Sequence, residues 1–96
     1  MENAIVKKYE KIIEENMDNI LNLYYQFEDK KPIMLYNIQE KRIYAYPPYE
    51  FIADQSENSR KKILSQYEDA VINNQIVIFI KDSENKKLMS YTFDIE

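Results

Sequence analysis

No glycine occurs among the 96 residues, and histidine, cysteine and tryptophan are missing as well. A backbone that must turn left-handed does so here without the residue that adopts that geometry most cheaply, and asparagine is the next choice. Phosphate-cradling loops of the P-loop and dinucleotide-binding kinds are excluded, because both depend on glycine for the close approach of backbone to phosphate. There is no imidazole to titrate near neutral pH, no thiolate nucleophile and no His/Cys set for a structural zinc site. These absences point to binding rather than catalysis, with no cofactor expected.

A chain of this length, 45% hydrophobic and 31% charged, builds one modest core, so residues 1–96 read as a single compact domain. The formal net charge of -4, from 17 acidic and 13 basic residues, disfavours a partner held through its phosphate backbone. Small basic groups occur at Lys7, Lys8 and Lys11 and at Arg60, Lys61 and Lys62. They are interleaved with or followed by Glu10, Glu14 and Glu68, as on a solvated helix face. No apolar run approaches the length of a membrane span, and Met1-Glu2-Asn3 opens an amphipathic segment instead of a signal peptide. The expected location is cytoplasmic, without membrane attachment.

Apolar residues at Ile5, Tyr9, Ile12, Ile13, Ile20, Leu23, Tyr24 and Phe27 recur at helical spacing. They predict one long amphipathic helix ending near Glu28 to Lys31, ahead of Pro32. Ile33 to Tyr36 and Arg42 to Tyr46 are β-prone runs around the polar stretch Asn37 to Lys41, the pattern of a hairpin. Pro47 and Pro48 remove two successive backbone donors and stop that ladder, leading into a stiff crossover.

A second helical pattern runs through Ile63, Leu64, Tyr67, Ala70 and Val71. Asp54 with Glu57 has capping-box spacing, Ser56, Asn58 and Ser59 are alternative starts, and Asn73-Asn74 suits the end. Ile76 to Ile80 and Leu88 to Phe93, around Asp82 to Asn85, form a second hairpin. The expected fold is α+β in the order α-β-β-α-β-β: a four-stranded, mainly antiparallel sheet made of two hairpins with two packed helices. Two α-β-β halves imply a structural duplication that the sequences of the halves do not display.

Strand alternation groups Ile33, Leu35, Ile43 and Ala45 on one face of the first hairpin and Met34, Tyr36, Tyr44 and Tyr46 on the other. With both helices on one side, a Tyr/Met-rich face that includes Tyr91 is left free; with one helix on each side, no such face exists. Tyrosine and methionine are enriched in interface cores, so Met34, Tyr36, Tyr44, Tyr46, Tyr49 and Tyr91 are the candidate interaction residues. In the stretch Tyr44 to Phe51, Tyr49 and Phe51 are expected to plug the end of the core from a rigid connector.

Asp82, Glu84 and Lys86 have the residue types of a magnesium-dependent nuclease site, yet they fall in a predicted hairpin turn, where alternating charge serves solvation. The expected function is that of a small non-enzymatic protein-interaction domain: a homodimer, adaptor, inhibitor or immunity-type subunit. A nucleic-acid-associated regulator using Arg60 to Lys62 is the alternative, and a metal-dependent enzyme with a carboxylate site stands behind it.

Overall fold

The computed structural model describes residues 2–27 and 30–95, with side chains from residue 7 onward. Four helices and four strands follow in the order α1 (Glu2–Glu15), α2 (Met17–Tyr25), β1 (Ile33–Asn37), β2 (Arg42–Tyr46), α3 (Pro48–Ile52), α4 (Glu57–Ile72), β3 (Gln75–Asp82) and β4 (Lys87–Asp94). The α+β class stands. The order is α-α-β-β-α-α-β-β, because the long first helix is divided and a short helix precedes the second one.

The division falls at Asn16, whose φ of -106° and ψ of 12° lie outside the helical well. Its side-chain amide donates to the Ile12 carbonyl at 2.8 Å, a local hydrogen bond that competes with the helical ladder and bends the chain. The periodicity of the apolar residues survives this bend, so Ile13, Ile20 and Tyr24 still bury together. The helix ends at Tyr25, ahead of the expected Glu28 to Lys31; Glu28 and Asp29 lie outside the described residues, as does the side chain of Ile5.

Pro48 occupies the first turn of α3, where its missing N–H would have had no helical partner, and Pro47 supplies the extended entry with ψ 139°. The two prolines therefore start a helix as well as ending the ladder at Tyr46. Ser56 is the residue that caps α4, its hydroxyl accepting from the Ser59 N–H at 3.3 Å. At the other end Asn73 is the cap and Asn74 takes φ 55°, the asparagine solution to a missing glycine.

The strand order is β2-β1-β3-β4. Both hairpins are antiparallel, but the central pair β1–β3 is parallel, with Leu35 beside Phe79 and Tyr36 beside Ile80. The sheet is mixed, not mainly antiparallel, and the segment between the hairpins is the cause. Tyr46 lies level with Ile33 at the start of β1, and Asp54 and Gln55 line the same cleft as Lys81 and Ser83 at the end of β3. The chain thus climbs the sheet through α3 and descends through α4, so β3 begins at the same end as β1 and runs in the same direction. A single connecting helix would have delivered β3 from the opposite end.

Helices cover both faces. The first face carries Met34, Tyr36, Ile76, Ile78 and Ile80, packed with Ile13, Ile20 and Tyr24 of α1 and α2. The second carries Ile33, Leu35, Val77 and Phe79, packed with Ile52 of α3 and with Ile63 and Ala70 of α4. The register pairs Met34 with Ala45 and Tyr36 with Ile43, and Ile33 with Tyr46 and Leu35 with Tyr44. Opposite residues share a face, so the expected grouping of Met34 and Tyr36 with Tyr44 and Tyr46 is corrected. The length of the 38–41 loop sets this parity, and a one-residue difference exchanges every side chain of β2 between faces.

Candidate functional site

Because the sheet is sandwiched, the expected interaction residues are dispersed. Met34 and Tyr36 are core residues of the first face, and Tyr91 is half-buried there. Burial raises the hydroxyl pKa of Tyr91, and the charges of Glu10 and Glu14 raise it further. Tyr44 and Tyr46 stack on each other on the second face, centroids 6.0 Å apart, and Tyr46 continues to Phe51 and on to Phe79. Phe51 therefore plugs the core as expected. Tyr49 does not: it is 66% exposed on α3. No single Tyr/Met face unites the six.

Two surfaces are assembled in their place. The first lies at the beginning of β1, where Tyr25, 53% exposed, and Tyr49 project from helices on the two faces. Behind them stand Tyr24 and Tyr67. Tyr24 meets Tyr25 edge-on at 5.4 Å, and the Tyr67 hydroxyl donates to the Lys31 carbonyl at 2.5 Å. The Lys31 ammonium lies 5.2 Å from the Tyr24 ring centre and 5.1 Å from that of Tyr25, and Lys30 lies 4.8 Å from that of Tyr49. These are cation–π distances, so two positive charges are held over aromatic rings on a chain that is acidic as a whole. Sequence reasoning selected Tyr49 alone of the exposed pair. Tyr25 was hidden in the helical pattern, where its neighbour Tyr24 supplies the buried position.

The second surface is an open cleft of about 550 Å³ that runs from Leu35 and Tyr46 to the carboxyl end of β3. Leu35, Tyr46, Phe51 and Leu88 supply its apolar lining. Glu50 and Asp54 flank it from the α3 side, and Lys81, Lys86 and Lys87 from the β3–β4 hairpin. Asp82 sits in that hairpin with its carboxylate turned to the loop: Oδ1 accepts from Gln39 Nε2 at 2.9 Å and from the Asn85 N–H at 3.2 Å, and Oδ2 from Asn85 Nδ2 at 2.8 Å. The Asn85 side chain and then Gln39 hold its pKa below the ordinary carboxylate value. Gln39 also accepts from the Ser83 N–H at 2.9 Å, so one side chain of the first hairpin loop clamps the second.

Of the residues weighed for metal chemistry, Asp82 is the acceptor that shapes the turn. Among the described residues no group of three or more Asp, Glu, His or Cys could hold a metal ion. The basic group Arg60 to Lys62 is exposed on the first turns of α4, where Arg60 Nε donates to the Gln55 carbonyl at 3.1 Å. Tyrosine shifts run upward: burial and neighbouring tyrosines push Tyr24 to about 12, burial raises Tyr36 and Tyr67, and the Glu40 hydrogen bond raises Tyr44. All resolved shifts move groups away from neutrality, where a general acid or base exchanges its proton. Among the described residues no helix is long and apolar enough to cross a membrane.

No family model, curated protein or solved structure matches the chain.

Proposed function

We propose that the chain is a non-enzymatic protein-interaction domain whose contact surface is the Tyr25–Tyr49 end of the sandwich. The observation that carries this reading is the exposure of those two rings, 53% and 66%, on a fold that buries its other aromatic residues at least in part. A tyrosine left in water costs apolar hydration that a partner removes, and its rigid ring orders at small entropic cost. Lys30 and Lys31 lie across the same rings and give this end positive charge. The partner this surface fits is an acidic protein segment that places an apolar or aromatic side chain against the tyrosines and carboxylates against the lysines.

The test compares wild-type protein with the Tyr25→Ser/Tyr49→Ser double variant. Both side chains are exposed, so circular dichroism and Tm should stay nearly unchanged. Partners captured by the wild type from its native lysate should be lost on the variant, with affinity falling roughly thirtyfold or more, as for removal of an interface hot spot. Retention of the same partners at equal affinity would refute the reading. Light scattering of the wild type over a concentration series shows whether the partner is a second copy.

A further inference from the structure

We propose that the cleft at the carboxyl end of β3 binds a small amphipathic anion, an apolar body carrying a carboxylate or phosphate. The apolar part would lie on Leu35, Tyr46, Phe51 and Leu88, and the anionic group would face Lys81, Lys86 and Lys87. Glu50 brings one edge of this site next to Tyr49, but its lysines lie on the β3–β4 hairpin and are distinct from Lys30 and Lys31 of the tyrosine surface.

The position is the first argument. In open sheets with parallel strands, ligands bind outside the carboxyl ends of those strands, where flanking connections part and leave a crevice. Here the α3–α4 junction and the β3–β4 hairpin line the two sides of a crevice at the carboxyl end of β3. The cleft of about 550 Å³ is of the size of small-molecule sites.

The second argument comes from comparing the two hairpins. Both loops are built alike. Asn37 accepts the Glu40 N–H at 3.0 Å as Asp82 accepts that of Asn85 at 3.2 Å, and Lys41 and Lys86 take φ 56° and 54° at matching positions. In this alignment Tyr36 corresponds to Lys81. Tyr36 is buried under α1 and α2, whereas Lys81 is exposed and lines the cleft. One half closes this level of the sheet with an aromatic ring, and the other leaves it open and charged.

The third argument is electrostatic. Asp82 also lines the cleft, so Glu50, Asp54 and Asp82 face Lys81, Lys86 and Lys87, but the Asp82 oxygens already accept three hydrogen bonds from Gln39 and Asn85, which leaves the lysines as the donors free for a ligand. The Gln39 clamp holds the lysine-bearing loop in place before any ligand arrives, which reduces the ordering cost of binding. Glu50 and Asp54 on the facing side orient the ligand, since they repel an anionic group and confine it to the hairpin side.

The experiment is a titration of the full chain, followed by amide chemical shifts in NMR, with octanoate, octyl phosphate, octanol and octylammonium as probes. Saturable shifts confined to Leu35, Tyr46, Glu50 to Gln55 and Lys81 to Leu88 are expected with an anionic probe. Octanol and octylammonium should bind at least about tenfold more weakly, the effect of losing one charge-assisted contact. The better of the two anions identifies the headgroup class. The Lys81→Glu/Lys87→Glu variant should lose about tenfold or more in affinity for that anion with an unchanged spectrum elsewhere. Leu88→Asp should also weaken it, while Tyr25→Ser/Tyr49→Ser should not. Absence of saturable shifts in these segments, equal binding of octylammonium, or unaltered binding by the lysine variant would overturn the proposal.

Discussion

Tyr24 has two roles in adjoining environments. Its ring is buried with Ile13 and Ile20, and its face receives the Lys31 ammonium. Burial, followed by the neighbouring Tyr67 and Tyr25, raises its hydroxyl pKa from 10.0 to about 12. The folded state thus favours the neutral phenol, and the stabilisation is complete below the unfolded value. Above pH 10 the unfolded chain ionises this group first, so stability falls as pH rises toward the folded value. Tyr24→Phe removes the ionisation, and its unfolding free energy should fall less between about pH 9 and about pH 11 than that of the wild type. Urea unfolding at the two pH values measures the difference. Parallel losses in the two proteins would mean that the Tyr24 hydroxyl is solvated in the fold. A residue-scale reading of the sequence placed Tyr24 on the buried side of a helix. The lysine across it comes from beyond the end of that helix, and helical periodicity carries no information about such a contact.

The helices and hairpins show how a chain without glycine makes its turns. Positive φ falls on Lys41, Asn74 and Lys86: the last loop residue of each hairpin and the residue after the α4 cap. Asn73-Asn74 was legible as a helix end because asparagine tolerates this geometry, whereas lysine carries no such signal: Lys41 was read as part of a polar stretch and Lys86 for its charge, neither for its backbone. A β-branched residue pays most for a left-handed backbone, and glycine pays least. Asn74→Val should therefore lower the unfolding free energy by roughly 1–2 kcal/mol, and Asn74→Gly should leave it equal or slightly higher. Chemical denaturation of the three proteins tests this order. A valine variant as stable as the wild type would show that the turn relaxes out of the left-handed region. The break at Asn16 belongs to the same scale. Apolar spacing continues across it, so periodicity reported one helix where a side-chain amide bonded to the Ile12 carbonyl makes two. Pro48 was legible as a ladder stop, but its fitness for a first helical turn was outweighed by the neighbouring Pro47.

At the scale of the molecule, β2-β1-β3-β4 with a parallel centre relates the halves by an approximate two-fold along the strands. That operation carries β1 to β3 and β2 to β4, and it exchanges the face under α1 and α2 with the face under α3 and α4. The four strands and their hairpin partners were readable from local pattern. The direction in which the second hairpin docks was not, since it depends on whether the connection crosses the sheet once or twice, and five residues at α3 decide that. The consequence is a shared core: each helix pair packs on strands from both halves, as Ile20 does on a cluster containing Met34 and Ile78. The two halves should accordingly unfold as one cooperative unit. Ile20 is fully buried, and truncation to alanine at such a site costs about 2–5 kcal/mol. Native-state hydrogen exchange should show that cost equally at the amides of β1 and β3, including Val77 and Phe79, whose side chains face the opposite layer. Loss confined to α1, α2 and β1 would mean that the parallel pair is a boundary between two separately unfolding halves.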